Sequence, residues 1–307
     1  MRTIMKILFM GTSPFAVESL RALHDSGADV CCVITQPDRP KGRGYKMTCT
    51  PVKEFALEKE YRVETPETLK DEAILPLLQE LNPDLIVVVA YGKILPPYVL
   101  HYPKLGCINV HGSLLPLYRG AAPVNHVLID GQTETGVTTM YMDEGLDTGD
   151  MILKAPTPIT PEDNFGLLHD RLAQIGGELL VKTVAVISSG TAPRIPQTGE
   201  TCYASMITKE TRRLDFNLGK MALHNRIRGL APDPCAFALC GGKNVKILES
   251  EPIDGTWDAP NGTIVDKKHL IIKVSDGGIR LKTVQPEGKK PMSGESFCAG
   301  NRNDRFE

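Results

Sequence analysis

An amide, an imidazole and a carboxylate are the side chains in this sequence whose types and spacing could do chemistry. In Cys107-Ile108-Asn109-Val110-His111 a strand would turn residues 107, 109 and 111 to one face, and Ile108 and Val110 to the other. Gly112 and Ser113 would end that strand, leaving Asn109 and His111 side by side at its C-terminal end. Asp147 comes 36 residues after His111, in Asp143-Glu144-Gly145-Leu146-Asp147-Thr148-Gly149-Asp150. The two glycines there let the backbone fold closely and deliver a carboxylate to the same crevice. Asn109 can donate an amide N–H to an oxygen that gains negative charge. His111 can move or polarise a proton near neutral pH. The carboxylate can orient the imidazole, raise its basicity, or accept the proton of an attacking amine. If an amine attacks directly, no Ser or Cys nucleophile is needed, so the trio suits acyl transfer through a tetrahedral intermediate. Each residue alone says less. A strand-end His is more often a satisfied polar residue, and an Asp between glycines more often forms a turn.

The surrounding pattern supplies the strand-ended crevice that such a trio requires. Met5 to Met10 is a continuous apolar run bounded by Gly11 and Pro14, which predicts a buried parallel strand. Pro14 suits a first helical turn, and Phe15, Val17, Leu20 and Leu23 carry helical periodicity up to Gly27. Strands are predicted at Val30 to Thr35, Leu85 to Ala90, Cys107 to His111 and Gly136 to Met142, with helices over 51–60, 71–81, 124–130 and 164–189. Strands alternating with helices predict a doubly wound parallel α/β sheet, in which ligands bind off the C-terminal strand ends. Residues 190–208 are rich in Gly, Pro, Thr and Ser and read as a linker. Beyond them come a helix, Gly219 to Leu230, and five short strands at Ala236–Leu239, Lys243–Glu249, Thr263–Val265, Leu270–Val274 and Ile279–Val284, which predict a small barrel or open sheet. The expected organisation is therefore 1–189, a linker 190–208, and 209–307.

Composition limits the classes available. At 307 residues, 41% hydrophobic and 23% charged, the chain is an ordinary soluble one with two domains expected. The apolar run near the N-terminus meets Gly11 to Pro14 too soon for a secretory h-region. No segment approaches the length of a membrane span, so a cytosolic protein without a membrane partner is expected. Eight cysteines contain no C-x-x-C pair, which predicts reduced thiols and no structural metal. The net charge is −2, unevenly spread: residues 209–307 carry 17 Lys and Arg against 13 Asp and Glu, and the rest is acidic. That asymmetry permits a phosphate-rich partner on the back domain. A nicotinamide oxidoreductase is disfavoured. The first turn, Gly11-Thr12-Ser13-Pro14-Phe15-Ala16, lacks G-x-G-x-x-G, and Pro14 removes an N–H that a pyrophosphate would use.

Asn109-Val110-His111-Gly112-Ser113-Leu114-Leu115-Pro116, followed by Tyr118-Arg119-Gly120-Ala121-Ala122-Pro123, Gly136-Val137-Thr138 and Gly145-Leu146-Asp147-Thr148-Gly149, resembles the signature of the folate-dependent formyltransferases. The resemblance implies 10-formyltetrahydrofolate as co-substrate, no metal, and catalysis by Asn109, His111 and Asp147. It implies a tetrahydrofolate site at Ser113, Leu114, Leu115 and Pro116, with a pteridine pocket lined partly from residues 88–95, among them Val89, Tyr91 and Gly92. Thr35-Gln36-Pro37-Asp38-Arg39-Pro40-x-Gly42-Arg43-Gly44 and Pro286-x-Gly288-Lys289-Lys290-x-Met292 resemble the methionyl-tRNA formyltransferases in particular. From that resemblance the basic loop after the second strand enters the acceptor end of initiator methionyl-tRNA, with Arg43 at its centre. The first domain is then Rossmann-like, the small domain is OB-like and tracks the tRNA, and a monomer is expected. The residues agree, since Arg39, Lys41, Arg43 and Lys46 in a Gly-rich stretch can meet phosphates and base edges. Two rivals share the chemistry: transfer to a ribonucleotide or amino-sugar amine, and hydrolysis that discards formate. The Arg43 loop and the basic second domain argue against the first. A non-catalytic RNA-binding module leaves Asn109, His111 and Asp147 unexplained.

Overall fold

The apolar run Ile7-Leu8-Phe9-Met10 forms strand β1 (Lys6–Gly11), with all four residues at 1% exposure or less. A strand buried on both faces is the centre of a parallel sheet. The computed structural model describes residues 5–41 and 46–307. Helix α1 (Pro14–Asp25) opens on Pro14 and buries Phe15, Leu20 and Leu23. Strand β2 (Asp29–Ile34) leads into an antiparallel hairpin, β3 (Arg39–Lys41) and β4 (Lys46–Thr48). Helix α2 (Pro51–Glu58) is capped by Thr50, whose hydroxyl accepts from the Lys53 N–H. Then come β5 (Val63–Glu64), α3 (Leu75–Leu81), the fully buried β6 (Leu85–Val89), the single turn α4 (Pro97–Leu100) and β7 (Cys107–His111). Helix α5 (Pro123–Ile129), β8 (Glu134–Tyr141), β9 (Met151–Pro158) and the 24-residue α6 (Phe165–Ser188) complete this half.

The seven-stranded sheet has the order β5-β2-β1-β6-β7-β8-β9. β5, β2, β1, β6 and β7 are parallel. β8 runs antiparallel to β7, with His111 opposite Thr138 and Ile108 opposite Tyr141. The doubly wound parallel core is as expected, and the antiparallel β8 beside it is an addition to that expectation. Alternation of strand and helix reports element type, and an antiparallel strand on an otherwise parallel sheet leaves that pattern intact. The core is a Rossmann-like parallel sheet, and its order reverses beside β1, where β2 lies on one side and β6 on the other. Gly176 and Gly177 do not interrupt α6. A Cβ at Gly177 would lie 2.8 Å from the Glu18 carbonyl oxygen and one at Gly176 would lie 3.1 Å from Val110, so the glycines let the helix press against α1 and the sheet. Helix α3 begins at Leu75 rather than residue 71, because Asp71 and Glu72 adopt φ of 53° and 57°.

Helices α7 (Lys209–Arg212) and α8 (Lys220–Leu230) precede β10 (Ala236–Cys240), β11 (Lys243–Ile253), β12 (Ile264–Asp266), β13 (Ile271–Val274), β14 (Gly277–Pro286), β15 (Met292–Ser293) and α9 (Gly294–Gly300). The strands form an antiparallel sheet of order β10-β11-β14-β13-β12, with β15 on β14. Leu223, Ile227 and Leu230 of α8 share one core with Val245, Ile247, Leu281, Val284 and Phe306. Leu239 and Glu307 exchange backbone hydrogen bonds, Phe306 N–H donates to Gly262, and Ile264 N–H donates to Asp304.

The chain divides into two units. One comprises Met1–Arg119, Gly136–Thr157 and Asp170–Tyr203, and the other Gly120–Thr135, Pro158–His169 and Ala204–Glu307. The second unit takes in two earlier segments because their polar groups are used there. Asn125 of α5 donates to Gly229 O at 2.8 Å, and Arg228 donates to the carbonyls of Thr160 and Asp163. All eight cysteines are free thiols. Burial pushes Cys32 and Cys107 up to about 12, which keeps both as neutral packing groups.

Candidate active site

Strand β7 delivers Asn109 and His111, as its alternation predicts. Asn109 is half-buried and His111 is 5% exposed. His111 Nε2 lies 2.9 Å from the carbonyl oxygen of Tyr118. A carbonyl only accepts, so Nε2 carries the hydrogen and the ring plane is set by the main chain. The other ring nitrogen, Nδ1, faces Asp147 Oδ2 at 3.7 Å. Asn109 Nδ2 approaches Asp147 Oδ1 at 3.4 Å. The three side chains expected to work together therefore meet. At 3.7 Å the imidazole and carboxylate are too far apart for a hydrogen bond and close enough for each to reach an atom placed against both.

The loop that brings Asp147 there is built by its neighbours. Asp143 Oδ1 accepts from the Gly145 N–H at 3.0 Å and from the Thr148 hydroxyl at 2.7 Å. A Cβ at Gly145 would overlap Thr148 Oγ1, and one at Gly149 would overlap the Tyr141 carbonyl. Both glycines are needed for close approach. Asp147 itself has φ 53°, Tyr118 has φ 58° and Ala90, between Val89 and Tyr91, has φ 42°, so three non-glycine residues of the site occupy the left-handed region.

Ser113, Leu114, Leu115 and Pro116 form a loop closed from within, with a cis Leu115–Pro116 peptide. The Ser113 hydroxyl donates to Leu117 O at 2.6 Å. Thr138 Oγ1 donates to Ser113 O at 2.7 Å and accepts from the Leu115 N–H at 3.1 Å, and Lys154 Nζ donates to Leu115 O at 2.5 Å. Val89 and Tyr91 are buried, with Tyr91 packed in a core that includes Leu8, Met10 and Val88. Gly92 is exposed, at φ 80°. The Tyr91 carbonyl accepts from Thr12 Oγ1 at 2.9 Å and from Gln36 Nε2 at 2.8 Å.

Arg39 is exposed and lines a cavity of about 220 Å³ with Thr12, Gln36, Thr48, Cys49 and Thr50. The hairpin register pairs Lys41 with Lys46. Arg43, and the side chains of Lys41 and Lys46, lie outside the described residues. In the second unit Arg213, Arg226 and Arg305 line a cavity of about 460 Å³ together with Glu210, Asp215 and the C-terminal Glu307. Arg212 is spent on the carbonyls of Pro234 and Cys235, just as Arg228 is on those of Thr160 and Asp163, where burial lowers its pKa. Among the described residues no three His, Cys, Asp or Glu gather as metal ligands, and no helix is long and apolar enough to cross a membrane.

The sequence pattern does not reveal Tyr118, because the acceptor for His111 is a backbone carbonyl and every residue has one. Nor does it reveal Lys154, or that Thr138 of the stretch Gly136-Val137-Thr138 holds the loop at Ser113 and Leu115.

Comparison with known proteins bears on this geometry. A family model described as formyl transferase matches residues 5–184, and one described as the formyl transferase C-terminal domain matches residues 206–302. The methionyl-tRNA formyltransferase of Syntrophus aciditrophicus (strain SB) is 46% identical over 299 residues, covering 96% of this chain and 96% of its own. That of Alkaliphilus oremlandii (strain OhILAs) is 46% identical over 300 residues, covering 97% of each chain. Among solved structures, the N-formyltransferase from Helicobacter canadensis, in complex with folinic acid and dTDP-3-aminofucose, matches with a TM-score of 0.68 over 92% of this chain and 99% of its own. At 21% identity that likeness concerns the fold.

Proposed function

This chain is a member of the formyl transferase family, and from that membership we propose that it transfers the formyl group of 10-formyltetrahydrofolate to the amino group of methionine on initiator tRNA. The observation that carries the reading is the convergence of Asn109, His111 and Asp147, at 3.4 and 3.7 Å, in a chain whose full-length relatives are named for that activity.

When bound, the folate would supply an electrophilic formyl carbon. The segment carrying Val89, Tyr91 and Gly92 and the loop Ser113, Leu114, Leu115 and Pro116 would line its pocket. Apolar leucines beside main-chain donors and acceptors suit a flat heteroaromatic ring. The Asn109 amide would donate to the formyl oxygen as negative charge builds there. His111 has Nε2 committed to Tyr118, so Nδ1 is the nitrogen that faces the reacting atoms. As imidazolium it would donate to the same oxygen. Asp147 would hold the imidazole's charge and take the proton that the methionine nitrogen gives up.

In this reading residues 1–189 are catalytic, 190–208 link, and 209–307 form an OB-like barrel that binds tRNA. The hydrogen bonds from residues 304–307 to both Leu239 and Ile264 support a closed barrel, since they join the terminal segment to β10 and β12 at opposite edges of the sheet order. Arg43, with Arg39, Lys41 and Lys46, would meet the acceptor end. The protein would act as a cytoplasmic monomer.

The test is incubation with a radiolabelled formyl donor and a panel of acceptors: initiator and elongator methionyl-tRNA, an aminoribonucleotide and a dTDP-amino sugar. Label on initiator methionyl-tRNA is expected. Label on the nucleotide or sugar instead, or release of free formate alone, would overturn the reading.

A further inference from the structure

We propose that Gln197 is a positioning residue, holding the Asp147 carboxylate in register with the His111 imidazole by bridging the Asp147 loop to Arg119, the residue after Tyr118. The inference rests on the catalytic roles given to Asp147 and His111 above.

The side chain of Gln197 uses its whole hydrogen-bonding capacity within the site. Nε2 donates to the carbonyl oxygens of Asp147 and Gly149, at 2.8 and 2.9 Å. Oε1 accepts from Arg119 Nε and Nη2, at 3.0 and 2.8 Å. Its orientation is not ambiguous. A guanidinium only donates and a carbonyl only accepts, so turning the amide over would set donors against donors and acceptors against acceptors.

What it joins is the strained part of the site. Asp147 and Tyr118 are both left-handed, one carrying the carboxylate and the other the carbonyl that orients His111. Left-handed non-glycine residues persist only where their surroundings hold them. Gln197 grips the carbonyls of Asp147 and Gly149 with one end and, with the other, the side chain of Arg119, which follows Tyr118 in the chain. A single amide thus couples the two supports of the imidazole–carboxylate pair.

Gln197 is itself fixed from both directions. Two residues earlier, Ile195 exchanges backbone hydrogen bonds with Met151 of β9, at 2.9 and 3.0 Å. Downstream, Cys202 O accepts from the Arg119 N–H at 3.0 Å, and Thr201 donates to Pro116 O at 2.7 Å. The segment whose composition reads as a plain connector therefore runs along the site and inserts one side chain into its support.

Gln197→Ala removes the bridge. Gln197→Glu keeps an acceptor for Arg119 and takes away both donors to the Asp147 loop, so it isolates the half of the contact that matters for the carboxylate. Both variants, made in the full chain, are expected to lose at least about tenfold in kcat, with KM for the formyl donor and for methionyl-tRNA held within about twofold. The 15N resonance of His111 Nδ1 should move in both, while the melting temperature stays near that of the native chain. Unchanged kcat and an unmoved Nδ1 resonance would overturn the proposal. So would a loss of turnover matched by rising KM values and a lowered melting temperature, which marks general loosening. If the native chain formylates none of the acceptors, the functional reading fails alone, and the Nδ1 resonance still decides whether Gln197 sets the pair.

Discussion

His111 spends one nitrogen on the main chain and presents the other to Asp147, a division of labour that explains how a buried imidazole can have a fixed plane and one reactive face. Asn109 stands next to it with a long, weak contact to Asp147 Oδ1 at 3.4 Å, so its amide can turn to a better acceptor without breaking a strong bond. Asn109→Ala is expected to lower kcat by about 10²–10³ with little change in KM for the formyl donor, which steady-state kinetics in both substrates will read. A variant that turns over normally removes Asn109 from charge stabilisation. The residue types and the 36-residue spacing were legible in the sequence because amide, imidazole and carboxylate carry their chemistry in their side chains. Tyr118 was not, because its contribution is a carbonyl oxygen held by a left-handed φ.

At the scale of elements, strand β8 and helix α6 are stitched through hydroxyls as well as packing. The Leu153 N–H donates to Thr139 Oγ1 at 3.2 Å, and the two hydroxyls of Thr139 and Thr183 lie 2.8 Å apart. Thr183 donates to Leu179 O at 2.8 Å, so the shared proton between the threonines belongs to Thr139. Both side chains are fully buried. Thr183→Val keeps the shape and leaves the Thr139 hydroxyl without its acceptor, so it should cost about 1–3 kcal/mol of stability. Urea unfolding followed by circular dichroism will measure the loss, with activity per folded molecule unchanged. No change in the midpoint would mean that the hydroxyl finds another partner. Strands β1, β6 and β7 and helix α6 were readable from apolar runs and helical periodicity. The hairpin β3–β4 and strand β9 were not. Short segments carrying Lys, Arg and Pro show no alternation, and they become strands because a partner edge accepts them.

Over the whole molecule, charge is arranged more sharply than the net −2 suggests. Residues 209–307 carry the excess of cations; Arg212 and Arg228 among them are committed to carbonyls, and in the proposed reading Arg213, Arg226 and Arg305 would meet phosphate together with the exposed Lys209, Lys289 and Lys290. Raising KCl from about 50 to about 200 mM should therefore raise KM for methionyl-tRNA at least about tenfold while KM for the formyl donor moves within about twofold. Equal salt slopes for both substrates would remove phosphate contacts from the account. The sequence by itself determined the parallel core, the short strands of the second half and the candidate trio of amide, imidazole and carboxylate, because apolar periodicity and side-chain chemistry are local properties of a chain. Only the tertiary structure decided which nitrogen of His111 faces Asp147, that Asp147 and Tyr118 take left-handed conformations, and that Gln197, from a segment without periodicity, bonds to the Asp147 loop. Those depend on backbone carbonyls and on residues 50 to 84 positions apart meeting in space, and neither is written in residue type or spacing.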